Sequence, residues 1–323
     1  MNILKLPDVW RIVRELDLES IRGEAEARFR LVVLSDSRAD AEEVAILLSG
    51  DDAAHPWLEV RTPPELEVTS DDRATITVVL ALTPAALSPA MAAAFERLSR
   101  AGVPVATAVL GSGRAADAVT RAGETTRVLV PALDESGMAT LGEAMVRAVP
   151  ALQRLALARQ LPPLREAVFD LLIDDTAKAN ATYSFTTAMA EQVPVLGVPL
   201  NLADIVVLTK NQLLMGYRIA LGAGKSGRAR DVIGEVVGVV GGGFLFRQAA
   251  RSLIGLIPVA GVVPKVAIAY TGTWAIGRAV VVWATQGKRM SAAAMGRLSR
   301  DAAGRGRAFA KGLIGRRRSA RAK

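Results

Sequence analysis

The chain has 323 residues and a mass of 34.0 kDa, which at roughly 100 to 200 residues per domain predicts two domains, each able to bury a core, and excludes a wholly disordered chain. Hydrophobic residues make up 51% and aromatics only 4%, with no Cys and one His. This excludes a zinc ribbon, a thiolate nucleophile, an Fe–S site and a multi-histidine metal centre. The net charge of +8 is local: residues 287–323 hold 12 Lys and Arg against Asp301 alone, whereas the preceding residues hold 28 against 31 acids.

The N-terminus carries Asp8 and Glu15 where a signal peptide needs an unbroken apolar stretch, so secretion is not expected. Residues 8–28 place Val9, Ile12, Val13 and Leu16 at helical spacing and predict one leading amphipathic helix. Phe29 to Leu34 is a branched apolar run that predicts a buried strand. A helix over 39–48 and a short strand over 57–61 follow. The alternation continues with strands at 75–82, 103–110 and 127–130 and helices at 89–100, 115–122 and 138–149. Strands and helices in turn predict a parallel sheet covered on both faces.

After Pro150 the strand signal ends. Residues 151–183 read as a helical linker broken at Leu161-Pro162-Pro163, 184–286 as apolar Gly-rich helices, and 287–323 as a basic tail. Three apolar runs, 193–209, 232–246 and 266–284, contain one charge each: Asp204, Glu235 and Arg278. A spanning helix needs about 20 mainly apolar residues, and a central charge costs about 3 kcal/mol on insertion scales. Pairing of Asp204 or Glu235 with Arg278, Arg247 or Lys265 would offset that cost, so both a membrane-embedded and a soluble helical bundle remain open.

No nucleotide motif is complete. On G-x-x-x-x-G-K-[ST], the first loop places Ser35, Asp40, Ala41 and Glu42 at the chemically required positions, and the acids there would repel phosphates. Gly222-Ala223-Gly224-Lys225-Ser226 ends like such a loop but follows an apolar helix and reads as a C-cap. Gly111-x-Gly113-x-x-Ala116 follows a late strand and reads as a turn. His55 lies in a polar loop, with only sequence-local acids beside it.

The layout of residues 29–150 resembles a small Ras-like GTPase domain that has lost its nucleotide motifs. Gly111, Ser112, Gly113 and Arg114 stand where that family carries N-K-x-D, and only Ala132 of its S-A pair is present. Residues 160–288, through LLIDDTAKANATY, PLNLADIVVLTKNQLLMGYRIALG and LIPVAGVVPKVAIAYTGTWAIGRAVVVWATQG, are similar to the YcjF-type domain of unknown function. Pro258, Gly261, Thr273, Ile276 and Gly277 carry its turn and closing helix. The resemblance implies a membrane-associated helical domain beside a GTPase-like one and transfers no catalytic residue.

Together these readings predict an α/β domain with a parallel, P-loop-like but degenerate sheet, followed by an all-α domain associated with the cytoplasmic side of the cell membrane. No catalytic group, metal or cofactor is assigned. Candidate helix or partner contacts are Asn201, Asp204, Lys210, Asn211, Gln212 and Arg278, and the basic membrane-surface residues are Arg316, Arg317 and Arg318. The expected partners are anionic lipids of the cytoplasmic leaflet and a protein partner or second copy, with no specific nucleic acid. The expected function is non-catalytic scaffolding or regulation. The alternatives are an active GTPase with an atypical site, and nonspecific RNA binding through the tail.

Overall fold

The computed structural model describes residues 6–50, 55–68, 75–84, 86–111, 126–190, 202–240 and 262–321. It divides into two compact units, residues 22–168, and residues 1–21 with 169–323.

In the first unit, five parallel strands, β1 (Leu31–Ser35), β2 (Leu58–Arg61), β3 (Val78–Thr83), β4 (Val105–Leu110) and β5 (Thr126–Val130), lie in the order β2-β1-β3-β4-β5. Leu31 pairs with Leu58 on one side and Val78 on the other. β1 and β3 are buried along their whole length, β4 along all but its last residue, and both edge strands are partly exposed. Continuous apolar runs belong to strands covered on both faces, which is why β1, β3 and β4 sit in the middle. The predicted α/β class with a parallel sheet is therefore observed.

Side-chain caps begin three helices of this unit. Ser37 starts α3 (Arg38–Ser49), Ser88 starts α4 (Pro89–Ala101), and Asp134 starts α5 (Glu135–Ala148), each accepting a first-turn N–H. α4 ends at Gly102 with φ 70°, which a side chain would strain. One sheet face packs Val32, Leu34, Val79 and Ala81 against Met91, Phe95 and Leu98 of α4. The predicted helix over 115–122 lies outside the described residues.

At the open edge, Arg30 grips Glu59 of β2 with two bonds, Nε to Oε1 at 2.6 Å and a second guanidinium nitrogen to Oε2 at 3.0 Å. The Arg30 bond, helped by Arg61 and opposed by partial burial, holds the Glu59 carboxyl below the usual glutamate range. A carboxyl with a lowered folded pKa stabilises the fold above its unfolded value and loses that contribution as pH falls through the folded one. Glu59→Gln is therefore expected to cost under about 1 kcal/mol at neutral pH, both partners being partly exposed, and to flatten the acid limb of the unit's stability curve. Urea titrations of the full chain from neutral to acid pH check this; an unchanged acid limb would count against the pair.

The leading segment is two helices rather than one, α1 (Leu6–Arg14) and α2 (Leu18–Glu26). The helix stops where Leu16 N–H bonds back to Val13 O, and Asp17 Oδ1 accepts Ser20 N–H to start the next. Residues 151–164 form α6 (Arg154–Gln160) between two single turns, with the predicted break at Leu161-Pro162-Pro163.

The second unit is helical: α7 (Arg165–Ala190, of which Phe169 onward belongs here), α8 (Leu202–Gly222), α9 (Ala229–Val240), α10 (Val262–Gln286) and α11 (Ala292–Arg321). Glycines bring their axes close. A Cβ on Gly277 of α10 would lie 2.6 Å from Ile173 Cγ1 of α7, and one on Gly216 of α8 would lie 2.6 Å from Val236 Cγ1 of α9. The basic tail is largely α11, whose Met295, Ser299, Ala302, Ala303, Gly306 and Ala310 are buried. The Gly222–Ser226 decoy is a helix end, where Lys225 N–H bonds to Ala220 O and Gly224 N–H to Leu221 O, with Gly224 at φ 94°.

Candidate functional site

The sheet order reverses between β1 and β3, and in open α/β sheets ligands bind outside the carboxyl ends of the strands at such a point. Here the turn is occupied by its own side chains. Ser35 Oγ accepts Ser37 N–H at 3.2 Å, and Ser37 Oγ accepts Asp40 N–H at 3.3 Å. Ser88 Oγ accepts Met91 N–H and donates to Asp36 Oδ1 at 2.9 Å, joining the two loops. Arg38 is held by Glu42 and Glu65. The first-turn N–H groups that a phosphate would use are thus partly occupied, and Asp36 adds negative charge beside them. Thr83 Oγ1, at the end of β3, is buried and has no hydrogen-bond partner among the described residues.

The helical unit contains a buried amide and hydroxyl cluster. Thr273 Oγ1 of α10 accepts from Asn180 Nδ2 of α7 at 2.9 Å and from Gln212 Nε2 of α8 at 3.1 Å. Asn180 Oδ1 accepts from Asn211 Nδ2 at 2.7 Å. Asn180, Thr273 and Gln212 are at most 2% exposed. Three helices are therefore tied at one level by groups that cost energy if left unpaired. Gln212 Oε1 has no hydrogen-bond partner among the described residues.

A second seam joins α7 and α10. Asp170 pairs with Arg278, and Asp174 Oδ1 accepts from Tyr270 OH at 2.7 Å while Oδ2 faces Lys178. Burial, then the bond to Asp174, pushes the Tyr270 hydroxyl well above the usual phenol range. The guanidinium groups of Arg278 and Arg305 lie 5.9 and 5.4 Å from the Trp274 ring centre.

Of the candidates drawn from the sequence, Asn211 and Gln212 meet in the buried cluster, and Lys210 beside them is partly exposed on α8. Asn201 lies outside the described residues. Asp204 belongs to α8, but its side chain is not among those described. Arg278 pairs with Asp170 of α7, an acid the sequence reading did not select, and Glu235 stands exposed on α9, where no burial cost arises. Arg247 lies outside the described residues, and Lys265 is buried. Arg316 is exposed in the last turns of α11, which also contain Arg317 and Arg318. His55 lies in the turn before β2, where its carbonyl accepts Leu58 N–H. Among the described residues, no group of acids and histidines is arranged to hold a metal ion.

Asn180 and Thr273 were the missed partners. Their sequence signal was a polar residue in register with buried neighbours, Ala177 and Ala181 around Asn180 and Ile276 and Ala269 near Thr273. Of the apolar runs, only the one within α10 is wholly described. Among the described residues it is the one helix long and apolar enough to cross a membrane, and most of it is covered by the other helices of the unit. No protein-family model matches this chain, and no curated protein or solved structure matches it either.

Proposed function

We propose that this protein is a non-catalytic, membrane-associated scaffold or regulator whose α/β unit is a GTPase-like domain without nucleotide chemistry. The observation that carries the proposal is the self-filled turn at the sheet's order reversal: Ser37 caps α3, Ser88 bridges to Asp36, and Asp40, Ala41 and Glu42 occupy the positions where a phosphate-binding loop needs a glycine, a lysine and a hydroxyl. A lost catalytic role leaves the domain to present surface. The concentration of positive charge in α11 supports attachment to an anionic leaflet.

Calorimetry on the full chain with Mg·GTP and Mg·ATP tests the first half. No heat of binding is expected at micromolar protein, and Asp36→Ala is expected to leave that result unchanged. Micromolar affinity for either nucleotide would replace the proposal by the atypical GTPase.

A further inference from the structure

We infer that one preformed face of α11, running from Arg297 through Arg300 and Arg307 to Lys311, is the surface that lies against the anionic headgroups of a membrane; this rests on the membrane reading above. Helix α11 holds nine Lys and Arg against Asp301 alone. Their placement on the helix is ordered. The side packed on α10 uses Ser299, Ala302, Ala303, Gly306 and Ala310, all buried, with Ala303 against Ala267 of α10 and Phe309 over Tyr270 at 5.8 Å between ring centres.

Arg297, Arg300, Arg307 and Lys311 follow at spacings of three, seven and four residues, which share one side of a helix of 3.6 residues per turn, and all four are exposed. From Arg297 to Lys311 the row is about 21 Å long at 1.5 Å per residue, so one plane can touch all four. Asp301, also exposed, subtracts one charge and leaves the side strongly positive. Arg305 is turned instead to Trp274.

Charge acts within about a Debye length, near 8 Å at physiological salt. On a fixed helix, position around the axis therefore decides which cations count. On an unfolded tail, only their number would decide. Consecutive residues such as Arg316, Arg317 and Arg318 are spread around a helix by its period and cannot all meet one plane. A base-reading or stacking role is not favoured, because Phe309, the one aromatic of α11, stacks on Tyr270.

The test is cosedimentation of the full chain with phosphatidylcholine vesicles, with and without phosphatidylglycerol, at low salt. Two variants of equal charge are compared: Arg297→Gln/Arg300→Gln/Lys311→Gln and Arg316→Gln/Arg317→Gln/Arg318→Gln. All three positions of the first are exposed, and circular dichroism verifies that α11 is kept. At about 1 kcal/mol for each cation near the surface, the first variant should lose about 100-fold in partitioning and the second about fivefold. Equal losses would overturn the preformed face while leaving membrane attachment standing. No wild-type binding to the acidic vesicles would overturn the membrane reading itself, and salt-sensitive binding to single-stranded RNA without vesicle binding would assign the same face to nucleic acid.

Discussion

Asn180→Leu is expected to destabilise the helical unit by about 3 kcal/mol. The two side chains are close in size, so the loss comes from hydrogen bonding rather than from a cavity. Asn180 donates to Thr273 Oγ1 and accepts from Asn211 Nδ2; Asn180 and Thr273 are fully buried and Asn211 is half-buried. Leucine would strand the Asn211 amide and remove one of the two donors on Thr273. Each buried group left unpaired costs about 1 to 3 kcal/mol. Thr273→Val should cost a similar amount, because it strands the amides of both Asn180 and Gln212. The double variant should cost less than the two singles together, since removing both partners leaves fewer orphans. Chemical denaturation of the full chain, followed by tryptophan fluorescence, reads this unit through Trp274 and Trp283 of α10. A single-variant loss below about 0.5 kcal/mol, or strict additivity, would show that the cluster is not a coupled network.

The parts of the fold legible in the sequence are those set by local burial. β1, β3 and β4 were apolar runs because both of their faces are covered, and each lies within a few residues of its predicted place. The break at Leu161-Pro162-Pro163 followed from proline's missing donor. By contrast, Asp17 divides the leading helix through one side-chain bond, which hydrophobic spacing does not encode. The cluster was half legible. Asn211 and Gln212 stood out as polar residues between apolar ones, but their partners lie 31 and 61 residues away along the chain, and helix register decides which residues meet. The same applies to Arg278, which pairs with Asp170 of α7, 108 residues away along the chain. In α11 the contact face sets Ala302, Ala303, Gly306 and Ala310 among a few larger apolar residues, Met295, Phe309 and Leu313, and small residues carry little hydrophobic signal, so the sequence showed charge more plainly than packing.

Gly306→Leu should release α11 from α10, whereas Gly304→Leu, two residues away, should not. A Cβ on Gly306 would come within 2.9 Å of both the Ala267 carbonyl oxygen and Thr271 Oγ1; at Gly304 nothing lies within 4 Å. The first obstacle is backbone of a helix that also packs on α7 and α8 through Gly277, Thr273 and Val280, so α10 cannot yield and α11 has to move. Overpacking of this kind costs about 3 kcal/mol. Once released, α11 has little to keep it helical. It contains five glycines, each about 1 kcal/mol worse than alanine in a helix interior, and Arg307 and Lys311 repel at i,i+4. The released segment should therefore unfold, with amide exchange across residues 292–321 becoming fast and helical ellipticity falling, while the amides of α7, α8 and α10 stay protected. Gly304→Leu replaces an exposed helix glycine by a better helix former and should be neutral or stabilising. Matching exchange in the two variants would mean that α11 is not held by the small-residue seam, and that its helix draws its stability from elsewhere in the chain.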